Sequence, residues 1–216
     1  MYEKHGWWFP DQDTHFVEML DKNIFKGGPA EYQLPVRSKS FRHVKDKGVA
    51  LDIGANIGLW TRHMCREFRQ VIAFEPVADF RDCLVKNVIA PNLDIKSCAL
   101  GSVNTTIEMV ITKGNTGHSH VDPQSIGTGT VDMYKLDYFD FDRIDYIKID
   151  CEGYEIRILE GAQETIIKHK PVIVVEQKLH TEQGITSETQ YGCVDLLKSW
   201  GATEVDKVRN DCVLAW

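Results

Sequence analysis

The sequence predicts an α/β protein built on a doubly wound, mostly parallel sheet that ends in an antiparallel hairpin. Three observations predict this fold. Short apolar runs, such as Val49–Ile53 and Tyr146–Ile149, alternate along the chain with segments of helical periodicity. The run at 172–175 is continuously apolar, which is typical of a strand covered on both faces. Two short β-like stretches, 204–208 and 212–216, flank a turn at the end of the chain.

The predicted elements follow one another in order. The run Val49–Ile53 leads through a glycine turn into a helix over 59–68, because Trp60, Met64 and Phe68 recur at the spacing of one helix face. A strand over 71–74 and a helix ended by Pro91 come next. The remaining predictions are strands over 94–100, 106–111, 130–136, 146–149 and 172–175, and helices over about 154–169 and through 193–200.

Residues 1–47 precede the first core strand and are predicted to form an N-terminal arm packed on a domain of residues 48–216. The arm is rich in aromatic residues and glycine–proline breaks, with one short helix over about 13–24. We interpret Trp7 and Trp8 as anchors, because burial of large aromatic rings alone accounts for this composition. A lid over a binding site and a contact in a homodimer stay open as alternatives.

Composition limits the class of protein. The 216 residues, 43% of them hydrophobic and 26% charged, suit one soluble α/β domain. A net charge of −7 argues against a nucleic-acid surface. The apolar runs are too short to cross a membrane, and the first residues do not resemble a secretory signal. Six scattered cysteines without a C-x-x-C pair indicate free thiols in a reducing cytoplasm rather than disulfides or a zinc site.

The turn after the first strand is the first candidate ligand site. It has the pattern D-x-G-x-x-x-G, from Asp52 through Gly54 to Gly58, whereas a dinucleotide fingerprint reads G-x-G-x-x-G. The acid before the glycine suits a cationic group better than a pyrophosphate. Glu75 ends the next strand about 20 residues later, where an acid accepts hydrogen bonds from ribose hydroxyls. A ligand with a ribose and an ammonium group is S-adenosylmethionine; the alternative is a β-turn-α corner with two surface acids.

A second group of candidate functional residues follows the strand at 146–149. Asp150 and Glu152 come directly after this strand. If the strand neighbours the first one, both acids lie beside the glycine turn, because ligands bind at the carboxyl ends of such strands. A helix N-terminus also attracts acids through its dipole, and this accounts for Glu155.

Several ordered motifs carry a resemblance to a known family. DIGANIG, FEPV, CALG and IKIDCEGYEIRILEGA, followed by a strand ending in Glu176, resemble the FkbM family of S-adenosylmethionine-dependent methyltransferases over about residues 48–180. The resemblance implies a seven-stranded, Rossmann-like class I methyltransferase fold and methylation of hydroxyl oxygens on sugars and other small metabolites. It implies these cofactor contacts: Asp52, Gly54, Ala55, Asn56 and Gly58 at the methionine half, Glu75 at the ribose, Ala99 and Leu100 near the adenine, and Asp150 at the methionine end.

Methyl transfer to a hydroxyl group also requires removal of a proton. The polar, glycine-rich segment 112–130 is predicted to be a binding loop, a lid or disordered. Its His118 is the first candidate base, because imidazole titrates near neutral pH. His120, Glu176 and Glu152 complete the set of candidate catalytic residues, with solvated loop positions as the alternative for both histidines. The histidine pair could be half of a metal site, but no other residues have ligand spacing, so no metal is predicted.

The most favoured function is therefore O-methylation of a small hydroxylated acceptor, such as a sugar, by a cytoplasmic enzyme. Methylation of a base or another nitrogen is disfavoured, because the sequence has no N-P-P-Y or D-P-P-Y segment and is acidic overall. A non-catalytic Rossmann-like module that binds a nucleotide or a partner remains the alternative.

Overall fold

The computed structural model describes residues 1–11, 13–177 and 187–216, with the side chains of the last range described from residue 192. The strands are β1 (Tyr2–Lys4), β2 (Trp7–Phe9), β3 (Val49–Ile53), β4 (Gln70–Phe74), β5 (Leu93–Lys96), β6 (Ala99–Leu100), β7 (Thr105–Ile107), β8 (Met109–Val110), β9 (His120–Val121), β10 (Val131–Tyr134), β11 (Tyr146–Ile149), β12 (Val172–Glu176), β13 (Thr203–Val208) and β14 (Asp211–Ala215). The α-helices are α1 (His15–Phe25), α2 (Leu34–Phe41), α3 (Thr61–Glu67), α4 (Ala78–Asn87), α5 (Glu155–Glu160), α6 (Gln163–His169) and α7 (Ser187–Ser199).

A seven-stranded sheet in the order β13-β14-β12-β11-β3-β4-β5 forms the centre of the fold. Strands β12, β11, β3, β4 and β5 are parallel neighbours. Strand β14 pairs antiparallel with β12 on one side and β13 on the other. This arrangement confirms the predicted doubly wound sheet with a closing hairpin.

Helices cover both faces of the sheet, which explains why its central strands read as apolar runs. In β3, Leu51 and Ile53 pack with helices α5, α6 and α7, whereas Ala50 packs with α2 and α3 on the opposite face. The chain passes from β3 outward through β4 and β5, and later returns to build β11 and β12 on the other side. The strand order therefore reverses between β3 and β11, and a crevice opens at their carboxyl ends.

The predicted helix over 154–169 is two helices, α5 and α6, interrupted at Gly161. A Cβ at Gly161 would lie 2.0 Å from the carbonyl oxygen of Gly101, so this position packs directly on neighbouring backbone. The carboxylate of Asp137 accepts hydrogen bonds from the backbone N–H groups of Glu164 and Thr165 at 3.2 and 2.8 Å. A long-range contact thus begins a new helix inside a segment whose periodicity is continuous.

The predicted strand over 94–100 is also divided. Strand β5 belongs to the central sheet, whereas β6 pairs with β10 in a separate three-stranded sheet of order β6-β10-β7. The predicted strand over 106–111 likewise falls into β7 and β8, which belong to different sheets. These small sheets lie after the carboxyl end of β5 and supply part of the wall described below.

The N-terminal arm packs on the domain through a hairpin and two helices. In the hairpin, Trp7 is buried, and Trp8 exchanges backbone hydrogen bonds of 2.6 and 2.9 Å with the side chain of Asn87 in α4. Helix α2, which the sequence pattern does not predict, begins beside Pro35, a residue suited to a first helical turn. Among the described residues, no helix has both the length and the apolar character needed to cross a membrane. Residues 178–180, the end of the stretch that carries the family resemblance, lie outside the described residues.

Candidate functional site

A cavity opens at the carboxyl edge of the sheet, where β3, β4 and β11 end. It is an open cleft that is continuous with solvent. We call it the first cavity. Its polar wall includes Gly54, Asn56, Glu75 and Asp150, all of them predicted site residues. Its apolar wall is formed by Phe80, Cys98, Ala99, Leu100, Val121 and Ile158.

The glycine turn fits closely into this edge. Gly54 has φ +75°, and a Cβ there would lie 2.2 Å from the carbonyl oxygen of Asp150, so only glycine fits. Asn56 also adopts a left-handed backbone, with φ +50°. Its N–H donates to Oε2 of Glu75 at 2.8 Å. The turn is therefore bound directly to the acid at the end of the neighbouring strand.

Glu75 is 4% exposed and faces the first cavity. Its second carboxyl oxygen, Oε1, accepts from the N–H of Val77 at 2.8 Å. Burial raises the pKa of Glu75 to about 7, although the two N–H donors oppose the shift. The carboxyl group is thus fixed in orientation and changes charge near neutral pH.

The side chain of Lys148, a residue not predicted to belong to the site, lies between the carboxylates of Asp52 and Asp150. It is 5% exposed, and its Nζ donates to the carbonyl oxygen of Gly54 at 3.0 Å. The same atom lies 3.5 Å from Oδ1 of Asp52 and 3.7 Å from Oδ2 of Asp150. Burial alone would lower the pKa of Lys148, but the carboxylates of Asp150 and Asp52 outweigh it and raise the pKa above its usual range. A lysine inside an otherwise apolar strand is the signal that could have revealed this role.

Two predicted cofactor residues lie behind the turn. Asp52 is fully buried, and its Oδ2 accepts from Oγ1 of Thr61 at 2.6 Å. Gly58 packs closely against the side chains of Val88 and Leu84. Asp52 and Gly58 therefore stabilise the turn on the side away from the first cavity, whereas Gly54, Asn56 and Glu75 line the cavity.

A second cavity, also open to solvent, adjoins the first. The two share five lining residues: Gly54, Asn56, Gly117, Asp150 and Glu152. The N-terminal arm supplies one wall of the second cavity through His15, Phe16, Tyr32 and Gln33. Ala55, Trp60, Lys148, His118 and Glu176 also line it. The sequence pattern of the arm does not assign these residues to a site, because nothing local in the arm indicates what it packs against.

The candidate catalytic residues are divided between the cavities. His118 and Glu176 line the second cavity, His120 lines the first, and Glu152 lies at the junction of both. The side chain of His118 is exposed, and its ring lies 6.2 Å from that of His15. Proximity to both cavities therefore distinguishes Glu152 from the other three candidates.

Glu152 has a left-handed backbone, with φ +51°, which is uncommon for a residue with a side chain. Glu155, the first residue of α5, stabilises this turn. Its Oε1 accepts from the N–H groups of Cys151 at 2.7 Å and Gly153 at 3.2 Å. The acid that sequence analysis attributed to a helix N-terminus thus also fixes the segment that carries Glu152.

We expect Glu155 to make the stability of the protein depend on pH. Burial raises its pKa from 4.5 to about 7, so the folded state binds more protons than the unfolded state between these values. The free energy of unfolding should therefore fall as pH rises from 4.5 to about 7 and level off above it. Glu155→Gln should flatten this fall by an amount on the order of 2 kcal/mol in urea unfolding between pH 5 and pH 8.

Glu164→Gln is the matched control, because Glu164 is an exposed acid in the adjacent helix α6. It should keep the wild-type slope. Equal slopes for wild type and Glu155→Gln would show that Glu155 does not titrate in this range.

Three carboxylates converge on the second cavity. One oxygen each from Asp150, Glu152 and Glu176 lies within 4.8 Å of the others, a spacing that could hold a metal ion. Acids also cluster around cationic ligands without a metal, so this arrangement alone does not assign one. Lys148 already provides a positive charge beside Asp150.

The sheet order, the crevice between β3 and β11 and the acid-and-glycine turn are those of the class I, Rossmann-like methyltransferase fold. The protein SMU.1697c from Streptococcus mutans was solved in complex with S-adenosylhomocysteine (SAH) and has the same fold. Its TM-score is 0.52 at 7% identity, and the match covers 85% of this chain and 96% of that one. A methyltransferase FkbM from Methylobacillus flagellatus KT gives a TM-score of 0.51 at 19% identity over 79% of this chain. This chain spans 44% of the length of that protein.

The sequence identifies the family within this class. The model of the methyltransferase FkbM domain matches residues 52–202, most of the chain. The chain therefore belongs to the FkbM family of methyltransferases, and its cofactor is S-adenosylmethionine, as predicted. A comparison with curated proteins finds no significant match.

Proposed function

We propose that this protein transfers a methyl group from S-adenosylmethionine, bound in the first cavity, to a hydroxyl oxygen of a small metabolite bound in the second. The observation that carries this proposal is the junction of the two cavities, where Asp150 and Glu152 line both. A donor and an acceptor that occupy the two spaces would meet there. Holding two reactants in contact can lower a barrier by roughly 7–11 kcal/mol.

The lining of the first cavity suits each part of the cofactor. Glu75 offers carboxyl oxygens to the ribose hydroxyls, and Asp150 offers a carboxylate to the ammonium group. The apolar side chains around Ala99 and Leu100 suit a flat, weakly polar adenine ring. Gly54 and Asp150, whose backbones are in close contact, lie side by side on the cavity wall and would border the methionine portion.

When bound, S-adenosylmethionine supplies an activated methyl group on a sulfonium sulfur. We assign the proton transfer to Glu152, whose carboxylate would accept the proton of the acceptor hydroxyl group as its oxygen takes up the methyl group. A correctly placed base contributes about 10²–10⁴-fold to such a reaction. His118 and Glu176, on the wall of the second cavity, then bind and orient the acceptor.

A sugar fits the second cavity better than a purely apolar acceptor. The aromatic side chains Phe16, Tyr32 and Trp60 line it together with the carboxylates of Glu152 and Glu176. Rings offer flat contact area, and carboxylates accept hydrogen bonds from several hydroxyl groups.

All six cysteines are free thiols, which supports a cytoplasmic location.

The test is a product screen with isotopically labelled S-adenosylmethionine over a panel of sugars, other hydroxylated metabolites and matched amines. We expect label in a methyl ether of a hydroxylated compound, detected by mass spectrometry. Label only in amines would overturn the assignment to oxygen. Binding of SAH without transfer to any compound would favour a non-catalytic module. A parallel reaction with EDTA should proceed unchanged, and loss that Mg²⁺ restores would assign a metal to the three carboxylates.

A further inference from the structure

The N-terminal arm contains a carboxylate that is buried against a loop of the catalytic domain. Asp13 is 0% exposed, and its Oδ2 accepts a hydrogen bond from Oγ1 of Thr116. Its Oδ1 accepts from the N–H of Phe16 at 3.3 Å. Backbone bonds reinforce the contact, since the N–H groups of Thr14 and His15 both donate to the carbonyl oxygen of Gly114 at 3.1 Å.

The same loop is bonded to the glycine turn. Nδ2 of Asn56 donates to the carbonyl oxygen of Thr116 at 3.1 Å, and the N–H of Asn56 donates to Oε2 of Glu75 at 2.8 Å. Four residues from four separate segments therefore form one continuous series of hydrogen bonds: Asp13, Thr116, Asn56 and Glu75. We call this series the arm-to-turn network.

The network ends at groups that line the first cavity. Thr116, Asn56 and Glu75 are all on its wall. Gly117 lines both cavities and packs against the ring of Phe16, where an added Cβ would lie 3.1 Å from the ring. A shift of the arm would therefore move the wall that contacts the cofactor.

The placement of Asp13 has an energetic cost. Burial raises its pKa, although the hydroxyl of Thr116 and the N–H of Phe16 oppose the shift. An apolar residue would fill this position without that cost, but it would not hold the Thr116 hydroxyl. The cost is consistent with a positional role for the carboxylate.

We propose that Asp13 is a positioning residue for cofactor binding, which acts by holding Thr116 and, through it, Asn56 and Glu75. Asp13 precedes the family domain, which begins at residue 52. The arm is then part of the cofactor site, although it does not supply the groups that contact the ribose.

The test is a double-mutant cycle with Asp13→Ala and Thr116→Val, measured as the dissociation constant of SAH by calorimetry. Each single change should weaken binding by about 3- to 30-fold, the range of coupling through packed networks. Because both changes break the same bond, the double variant should bind SAH no more weakly than the weaker single variant. Thr116→Ser restores the hydroxyl and should restore wild-type affinity.

Thr128→Val is the matched control, because the hydroxyl of Thr128 donates to the carbonyl oxygen of Ser125 at 3.1 Å, away from both cavities. It should bind SAH as wild type does. Wild-type affinity in Thr116→Val, or fully additive effects in the double variant, would overturn the proposal. If Asp13→Ala does not fold, Thr116→Val and Thr116→Ser decide the question alone, since a purely structural effect would change the melting temperature without a hydroxyl-dependent change in SAH affinity.

Discussion

Glu75→Gln is expected to weaken the binding of SAH by about 10- to 100-fold, because hydrogen bonds to a charged group are worth about 1.5–3 kcal/mol each. In the wild type, the N–H groups of Asn56 and Val77 orient the two carboxyl oxygens beside the first cavity. A glutamine amide keeps the shape of the side chain but has only one acceptor oxygen. Its NH₂ group would face either one of these N–H donors or a ribose hydroxyl.

The measurement is calorimetric titration with SAH at pH 8, where a group with a pKa of about 7 is mainly ionised. Asp79→Asn is the matched control, since Asp79 is an exposed acid at the start of α4. It should retain wild-type affinity. Binding by Glu75→Gln within twofold of wild type would show that Glu75 does not hold the ribose.

The same carboxyl group gives the affinity of the wild type a pH dependence. SAH should bind more tightly to the ionised form of Glu75, so affinity should fall as pH decreases below about 7. The affinity of Glu75→Gln should be nearly constant over pH 5.5–8. This difference in pH profile separates loss of an ionised acceptor from a general distortion of the cavity.

Local sequence patterns predict those parts of the fold whose environment is uniform along the chain. Strands β3 and β11 have the predicted bounds, because each is apolar except for one charged residue and is covered on both faces of the sheet. The glycine turn is also predictable from local sequence, since a glycine at position 54 indicates a close approach to neighbouring backbone. The positions of Glu75 and Asp150 beside this turn then follow, because β4 and β11 run parallel to β3 and end at the same edge of the sheet.

Contacts between distant segments are not predictable in this way. Asp13 and Thr116 are about 100 residues apart, and neither residue lies in a pattern that indicates the other. The division at Gly161 likewise depends on Asp137 and Gly101, which approach from other parts of the chain. Lys148 is intermediate, because its position in an apolar strand is visible, whereas its three partners are known only from the structure.

Glu152→Gln is expected to reduce the rate of methyl transfer by about 10²–10⁴-fold, the contribution of a general base. The acceptor identified in the product screen is the substrate for this measurement. Glutamine preserves the size of the side chain and the turn that Glu155 holds, but its amide cannot accept a proton. SAH affinity should change little, because the interactions assigned to the cofactor come from Glu75, Asp150 and the apolar wall.

A lower rate of methyl transfer with unchanged SAH affinity is what distinguishes a base from a binding residue at this junction. Glu160→Gln, an exposed change in α5, should leave both quantities unchanged. Glu176→Gln and His118→Ala should mainly raise the KM for the acceptor, since these side chains line the second cavity. If Glu152→Gln retains the wild-type kcat and Glu176→Gln loses it, the base is Glu176, and the proton leaves on the acceptor side of the cavity rather than at the junction.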